Sequence, residues 1–187
     1  MQNKKIIAIV GMAGSGKTET VKYLINKYSW PKVYLGEATF DRLKKDGLAV
    51  NYTNERIVRE KIRRESGMGA YAKLALPKVA KLLKTAKIVL IESLYSWDEY
   101  KIFKKKYGEN FLAIAITTSA NVRLLRLKTR TIRPIKTASE LAKRDFTEIE
   151  GTDKGGPIAA ADYTVINDGS QAELRRQIDK IVKKIII

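Results

Sequence analysis

The sequence predicts an α/β protein built on a doubly wound, parallel sheet of five strands. Two observations predict it. Short apolar runs alternate with amphipathic helical segments along the chain, and the first apolar run passes through a glycine-rich turn directly into a helix. Strands that alternate with helices pair in parallel through right-handed crossovers. At 187 residues the chain fits a single domain over 1–187.

The composition narrows the chemistry that is available. The chain has no cysteine and no histidine, which excludes thiolate or imidazole metal sites and their catalytic equivalents. Its net charge of +17 favours polyanions such as nucleotides, coenzymes, RNA or membrane surfaces, but lysine-rich solvated faces on an ordinary enzyme explain it equally well. No stretch is long enough to span a membrane, so we expect a cytoplasmic protein with no membrane partner.

The first strand and the turn after it carry the clearest motif. Residues 6–10 are an unbroken apolar run, and residues 11–18 read G-M-A-G-S-G-K-T, a full match to G-x-x-x-x-G-K-[ST]. Its glycines let the backbone wrap a triphosphate, Lys17 reaches the β- and γ-phosphates, and the Thr18 hydroxyl meets Mg²⁺. The residues expected to bind the nucleotide are Gly11, Ala13, Gly14, Ser15, Gly16, Lys17 and Thr18.

A second strand at 32–35 and the helical segments after it predict an acceptor site. Ligands of parallel sheets lie outside the carboxyl ends of the strands, so Glu37 and Arg42 are candidates to contact a second substrate. Glu37 fits the first turn of a helix equally well. Residues 36–83 predict a helical acceptor-binding insert that moves about Gly67 and Gly69, with Pro77 starting or kinking a helix. A static helical layer is the alternative.

The third strand, 87–92, ends in Glu92, which is the candidate second anchor of Mg²⁺. A helix cap or a surface charge is the alternative for this acid. Residues 97–107 then predict a helix with aromatic residues on one side. Such a stripe more often forms the core face of an amphipathic helix than a platform that stacks bases.

An arginine-rich segment follows the fourth strand, 111–116. Arg123, Arg126, Arg130 and Arg133 recur at a spacing that places them on one face of a single helix. Since arginine binds transferring phosphate well, region 120–150 predicts a lid that carries Arg126 and Arg130 over the γ-phosphate. A solvated basic face is the alternative.

The last third of the chain completes the sheet. Capping boxes at 137–140 and 170–173 each open a helix, the first of which runs to Ile149. Between these helices we expect a glycine-rich loop at 151–157, a fifth strand at 162–166 and a tight turn at 167–169.

Taken together, the chain resembles the nucleoside-monophosphate-kinase-like branch of phosphate-loop (P-loop) kinases. It is most similar to the archaeal adenylate-kinase-related and dephospho-coenzyme-A-kinase-like family. The stretches that carry this resemblance cover residues 11–18, 35–37, 67–77, 140–145 and 161–170. The resemblance implies ATP and Mg²⁺ as cofactors, and it implies that Asn167 and Gly169 border the donor base.

Two departures from that family concern the acceptor. Adenylate kinases read G-D-x-x-R after the second strand, whereas here Glu37 replaces the acid and Phe40 replaces the arginine. The third strand ends in Glu92-Ser93 in place of Asp-Gly.

We therefore expect an ATP-dependent phosphotransferase that moves the γ-phosphoryl group of Mg-ATP to a small-molecule nucleotide or coenzyme acceptor. Lys17, Arg126 and Arg130 neutralise the transferred group, and Glu37 is the candidate base for a hydroxyl acceptor. The alternative is a P-loop ATPase or a nucleotide-dependent factor that binds RNA through its basic surface.

Overall fold

A five-stranded parallel sheet forms the centre of the computed structural model, which describes residues 4–131 and 134–186. The strands are β1 (Lys5–Val10), β2 (Lys32–Tyr34), β3 (Ile88–Glu92), β4 (Phe111–Thr117) and β5 (Tyr163–Ile166). Their order across the sheet is β2-β3-β1-β4-β5, with every neighbouring pair parallel. The predicted fold class and all five predicted strands are confirmed.

Helices connect the strands and cover both faces of the sheet. They are α1 (Lys17–Tyr28), α2 (Glu37–Lys45), α3 (Tyr52–Ser66), α4 (Ala70–Leu82), α5 (Trp97–Tyr107), α6 (Ala120–Lys128), α7 (Ala138–Thr152), α8 (Gly155–Ala159) and α9 (Gln171–Ile185), and a 3₁₀ turn spans Gly108–Asn110. None of the helices within 4–131 and 134–186 has the length and apolarity that a membrane span requires.

The central strand β1 shows how the sheet is buried on both faces. Its side chains alternate, so that Ile6, Ala8 and Val10 pack toward α3, α4 and α5, whereas Ile7 and Ile9 pack toward α1 and α9. All five are almost fully buried, as the continuous apolar run predicts for a parallel strand. The loop that follows β1 therefore leaves the middle of a rigid sheet.

The predicted insert between β2 and β3 contains three helices, α2, α3 and α4. Gly67 ends α3 with a φ of +79°, and Gly69 precedes α4, so the two glycines separate these helices where the sequence predicts a joint. Pro77 lies inside α4 and does not begin it. On α5, Tyr100 and Phe103 are buried in the core, as expected for the aromatic stripe.

Two predicted boundaries near the lid are wrong. The arginine-rich helix α6 ends at Lys128, because the amide of Arg130 bonds back to the Leu127 carbonyl and Ile135 returns to pack against Leu127 in a small core. Arg130 thus follows the helix, and Arg133 lies outside the described residues. The expected loop at 151–157 is instead the last turn of α7 followed by α8.

Candidate functional site

The glycine-rich loop lies at the carboxyl end of β1 and leads into α1, as its motif predicts. Gly11 and Gly16 have φ angles of +145° and +104°, which L side chains rarely adopt. A Cβ atom on Gly11 would lie 2.3 Å from the carbonyl oxygen of Ile116, and one on Gly16 would lie 2.3 Å from Nδ2 of Asn167. Both positions therefore require glycine for steric as well as conformational reasons.

Two residues that directly follow β4 and β5 hold this loop in place. Nδ2 of the buried Asn167 donates to the Ser15 carbonyl oxygen at 2.7 Å, and Oγ1 of Thr118 donates to the same oxygen at 3.1 Å. The place of Asn167 beside the donor base stays a prediction, and its side chain has a structural role that the sequence did not indicate. Satisfied buried polar contacts of this kind fix one loop conformation.

A buried ion pair connects the loop to α7, in the region that the sequence predicts as a lid. Arg123 donates to the carbonyl oxygen of Ala13 at 3.2 Å and to both carboxylate oxygens of Asp145 at 3.0 and 2.6 Å. Arg123 is 6% exposed, so it is not a free phosphate-binding arginine of the expected stripe. Its interaction instead fixes α7 against the phosphate loop.

Lys17 is the focus of positive charge in the site. Its ammonium donates to the Met12 carbonyl oxygen at 2.8 Å within the loop. Burial lowers the pKa of Lys17 to about 7; Lys154, Arg144 and Arg130 add to this fall, and Glu148 opposes it. The positive charge of Lys154, Arg144 and Arg130 acts on Lys17 and is only partly offset by Glu148, which favours an anionic ligand at this point.

The carboxylate of Glu148 organises two of these cations. Its Oε1 accepts from Nε of Arg144 at 3.1 Å, and its other oxygen is ion-paired with the ammonium of Lys154. Lys154 is only 2% exposed, and its Nζ lies 4.3 Å from the centre of the Tyr95 ring. The α7–α8 region and the segment after β3 thus meet beside the phosphate loop.

The two arginines proposed for the lid occupy different positions. Nη2 of Arg126 lies 3.5 Å from the Gly169 carbonyl oxygen, and Nη1 is buried with no hydrogen-bond acceptor in the part of the chain that the structure describes. Arg130 is exposed beyond the end of α6, yet its charge acts on Lys17. They do not form one face of a single helix, which corrects the expectation of a four-arginine stripe.

Of the two residues expected to hold Mg²⁺, one lies at the start of a helix and the other at the end of a strand. Thr18 is exposed in the first turn of α1, and Glu92 ends β3 opposite Ile9 of β1. The carboxylate of Glu92 accepts from Lys32 at 2.6 Å. Mg²⁺ usually keeps several waters and binds one or two protein ligands plus substrate phosphates, and a hydroxyl and a carboxylate are suitable protein ligands. To bind Mg²⁺ or a metal-bound water, Glu92 must first release Lys32.

The residues expected to meet the acceptor line a cavity of about 350 Å³ between β2, α2 and α4. Glu37 opens α2 and is ion-paired with Lys78 of α4. Arg42 donates to Asp46 and to both carboxylate oxygens of Glu65, at 3.0 to 3.2 Å. Two carboxylates already neutralise Arg42, which makes it a poor replacement for an acceptor-binding arginine.

Four residues around Lys17 were not identified as site residues from the sequence. They are Tyr95, Arg144, Glu148 and Lys154. The only signal was the i,i+4 spacing of Arg144 and Glu148, which is common on solvated helices. The lysine and the aromatic residue are distant in sequence and become neighbours only through the fold.

Comparison with known proteins assigns the chain to a family and a fold. A family model described as an AAA domain matches residues 7–155. A UPF0200 protein of Thermococcus kodakarensis is 36% identical over 183 residues, which cover 97% of this chain and 98% of that protein.

Two solved structures share the fold. A shikimate kinase from Bacteroides thetaiotaomicron has a TM-score of 0.61 at 14% identity, covering 98% of this chain and 99% of its own. A gluconokinase from Sinorhizobium meliloti has a TM-score of 0.57 at 14% identity, with coverages of 99% and 97%. These neighbours confirm the P-loop kinase fold that the sequence predicts.

Proposed function

Because the chain belongs to the UPF0200 family and has a P-loop kinase fold, we propose that it is an ATP-dependent phosphotransferase. It would move the γ-phosphoryl group of Mg-ATP to a small-molecule nucleotide or coenzyme acceptor, in the manner of a nucleoside monophosphate kinase or a dephospho-coenzyme-A kinase. The observation that carries this proposal is the position of Lys17 in a glycine-restricted loop, where Lys154, Arg144 and Arg130 converge on it.

The loop and the lid supply the groups that phosphoryl transfer requires. Backbone amides of residues 13–18 and the ammonium of Lys17 would bind the β- and γ-phosphates, while Arg126 and Arg130 neutralise charge as the γ-phosphoryl group leaves ADP. Of the two arginines, Arg130 has the stronger support because its charge acts on Lys17. Bound Mg²⁺ supplies further neutralisation of the phosphate oxygens, and Thr18 and Glu92 would hold it.

The class of acceptor depends on whether the helical insert provides a catalytic base. An acceptor phosphate needs no base, whereas a hydroxyl acceptor would lose its proton to a carboxylate, for which Glu37 is the candidate. Glu37 is the first residue of α2 and lines the cavity between β2, α2 and α4, which supports this role. Its ion pair with Lys78 would have to open first.

The test is an acceptor panel. The protein is incubated with Mg-ATP labelled at the γ-phosphate, together with nucleoside monophosphates, dephospho-coenzyme A and small hydroxyl compounds. We expect label on one acceptor, and we expect Lys17→Ala to abolish transfer while the urea midpoint stays near that of the unmodified chain. Lys143→Ala is the control, because Lys143 is an exposed lysine of α7. Label that appears only in free phosphate would overturn the proposal.

That outcome would favour the alternative function, a P-loop ATPase or an RNA-associated factor. The basic surface of α9 supports it: Arg175, Arg176, Lys180 and Lys183 line a shallow depression there. Asp179 also lines this depression, and its carboxylate is ion-paired with Lys27. RNA binding through such a surface would weaken steeply as salt rises. A filter-binding titration at two salt concentrations measures this directly.

A further inference from the structure

One face of α7 lies against the phosphate loop. Asp145 is fixed by Arg123, which also contacts the Ala13 carbonyl of that loop. Glu148 follows Asp145 by three residues and Arg144 by four, so these side chains share a helix face. The contact through Arg123 therefore brings Arg144 and Glu148 to the loop that precedes Lys17.

Lys154 joins this face from the start of α8. It is nearly fully buried, which is unusual for a lysine outside a functional or paired setting. The carboxylate of Glu148 and the ring of Tyr95 hold its ammonium in place. An ammonium has three N–H donors, so one ion pair with Glu148 leaves donors for a further acceptor.

The charges do not balance in the site. Lys154, Arg144 and Arg130 each act on the charge of Lys17, and the carboxylate of Glu148 opposes them. Asp145 is already neutralised by Arg123. Lys154 is buried and Arg144 is half-buried, and holding like charges together away from water is costly unless an anion joins them. The site thus matches an anion with more than one negative charge.

We propose that Lys154 and Arg144 contact the terminal phosphate of the bound nucleoside triphosphate and distinguish it from a diphosphate. Glu148 is a positioning residue, which holds both cations in reach of that phosphate without touching it. This inference rests on the proposed function, and it adds two residues of α7 and α8 to the group that binds the transferred phosphoryl.

In the transfer step, the bond between the γ-phosphorus and the β–γ bridging oxygen breaks as a bond forms to an acceptor oxygen, and the bridging electron pair leaves on ADP. An acceptor phosphate oxygen carries no proton to lose, whereas the proton of a hydroxyl acceptor would pass to Glu37. Lys154 and Arg144 donate hydrogen bonds to the γ-phosphoryl oxygens and lose no proton. Such donors act most strongly where charge changes in the transition state.

The test compares Mg-ATP with Mg-ADP. In Lys154→Met we expect the affinity for Mg-ATP to fall about tenfold or more and the affinity for Mg-ADP to change less than about twofold. The single-turnover rate of γ-phosphate cleavage or transfer should fall roughly 100-fold, as when one preorganised donor is removed. Lys154→Arg should restore part of the preference for ATP. Calorimetry and rapid quench measure these quantities.

Two further variants guard against misfolding. Lys154→Met leaves Glu148 without its lysine, so the double variant Lys154→Met with Glu148→Gln removes both charges and should show the same loss of ATP preference. Glu148→Gln alone should lower the single-turnover rate less than Lys154→Met does. Lys143→Ala, on the exposed side of α7, should match the unmodified chain in all of these measurements.

Specific outcomes would overturn the inference. Equal losses of ATP and ADP affinity in Lys154→Met, or no loss of either, would show that Lys154 does not contact the terminal phosphate. Failure of the unmodified protein to bind any Mg-nucleotide is a different result. It would refute the proposed function itself and this inference with it.

Discussion

Arg123 and Asp145 form an ion pair through two hydrogen bonds, at 3.0 and 2.6 Å, and the same guanidinium reaches the phosphate loop at Ala13. Both side chains are mostly buried, at 8% and 18% exposure. Removing one partner of such a pair leaves an uncompensated charge in a desolvated place. This contact therefore couples the stability of the fold to the geometry of the site.

We expect Asp145→Ala to lower the free energy of unfolding by about 3 kcal/mol, which urea denaturation would measure. The control is Glu60→Gln, since Glu60 and Arg56 are 3.9 Å apart and more than half exposed. That change should cost less than about 0.5 kcal/mol. An Asp145→Ala variant as stable as the control would show that the pair contributes little.

We expect Asn167 to stabilise the phosphate loop through its hydrogen bond to Ser15 more than it contributes to contact with the nucleotide base. Asn167→Ala removes a buried hydrogen bond to the Ser15 carbonyl, and we expect it to lower the unfolding free energy by about 1–2 kcal/mol. The stabilisation that Mg-ATP gives in a thermal melt should also shrink. Asn26→Ala, on the exposed side of α1, should cause no loss because alanine favours helices. Unchanged nucleotide stabilisation in Asn167→Ala would contradict a role for this contact.

Glu99 makes the stability of the fold depend on pH in the acidic to neutral range. Burial raises its pKa from 4.5 to about 7, against the opposing hydrogen bonds from the amides of Tyr95 and Ser96 and the charge of Arg63. Between pH 4.5 and about 7 the folded state binds more protons at Glu99 than the unfolded state does. The contribution of Glu99 to stability is therefore fully present below pH 4.5 and is lost as the pH rises through 7.

In the capping box of α5, the Glu99 carboxylate accepts hydrogen bonds from the amides of Tyr95 and Ser96, and Glu99→Gln keeps a neutral acceptor there. We expect the variant to be about 1–3 kcal/mol more stable than the unmodified chain at pH 8, and about equal to it at pH 5. Urea denaturation at both pH values measures the difference. The idea fails if both proteins lose the same stability between pH 5 and 8.

The low pKa of Lys17 predicts proton uptake on nucleotide binding. Burial and then the charge of Lys154 lower it to about 7, so at pH 8 the side chain is mostly neutral in the free protein. A triphosphate favours the charged form, so binding at pH 8 should take up a proton and affinity should fall as the pH rises from 7 toward 10.

Calorimetric titration with Mg-ATP at pH 8, in two buffers that differ in ionisation enthalpy, measures that proton. We expect an uptake of roughly one proton per nucleotide bound, since the pKa moves from below to above the pH of the measurement. Lys143→Ala should give the same uptake, because its side chain is exposed. Heats that do not depend on the buffer would contradict a neutral Lys17 in the free protein.

The phosphate loop and the five strands could be predicted because their signals are local. The glycines lie two and three residues apart, and the strands are continuous apolar runs. The end of α6 was missed because it depends on Ile135 packing back onto Leu127. The contact of Lys154 with the Tyr95 ring was missed because these positions are 59 residues apart, and no periodicity encodes such a contact.

The proposed metal site predicts that Lys32 and Mg²⁺ compete for Glu92. Lys32 is 43% exposed while the Glu92 side chain is 12% exposed, so the carboxylate is fixed and the lysine is the partner that can leave. If Glu92 holds a metal-bound water, Lys32→Met should lower the Mg²⁺ concentration that gives half-maximal stabilisation by ATP. Glu92→Gln should raise it.

Thr18→Ala should raise the same Mg²⁺ requirement by about tenfold, because it removes the proposed direct ligand, whereas Thr18→Ser keeps the hydroxyl and should resemble the unmodified chain. The double variant Lys32→Met with Glu92→Gln should behave as Glu92→Gln does, since the lysine acts only through that carboxylate. Thermal melts over a Mg²⁺ series at fixed ATP provide the measurement. A Mg²⁺ requirement that changes with Thr18→Ala but not with either Glu92 variant would leave Thr18 as a ligand and restrict Glu92 to its ion pair with Lys32.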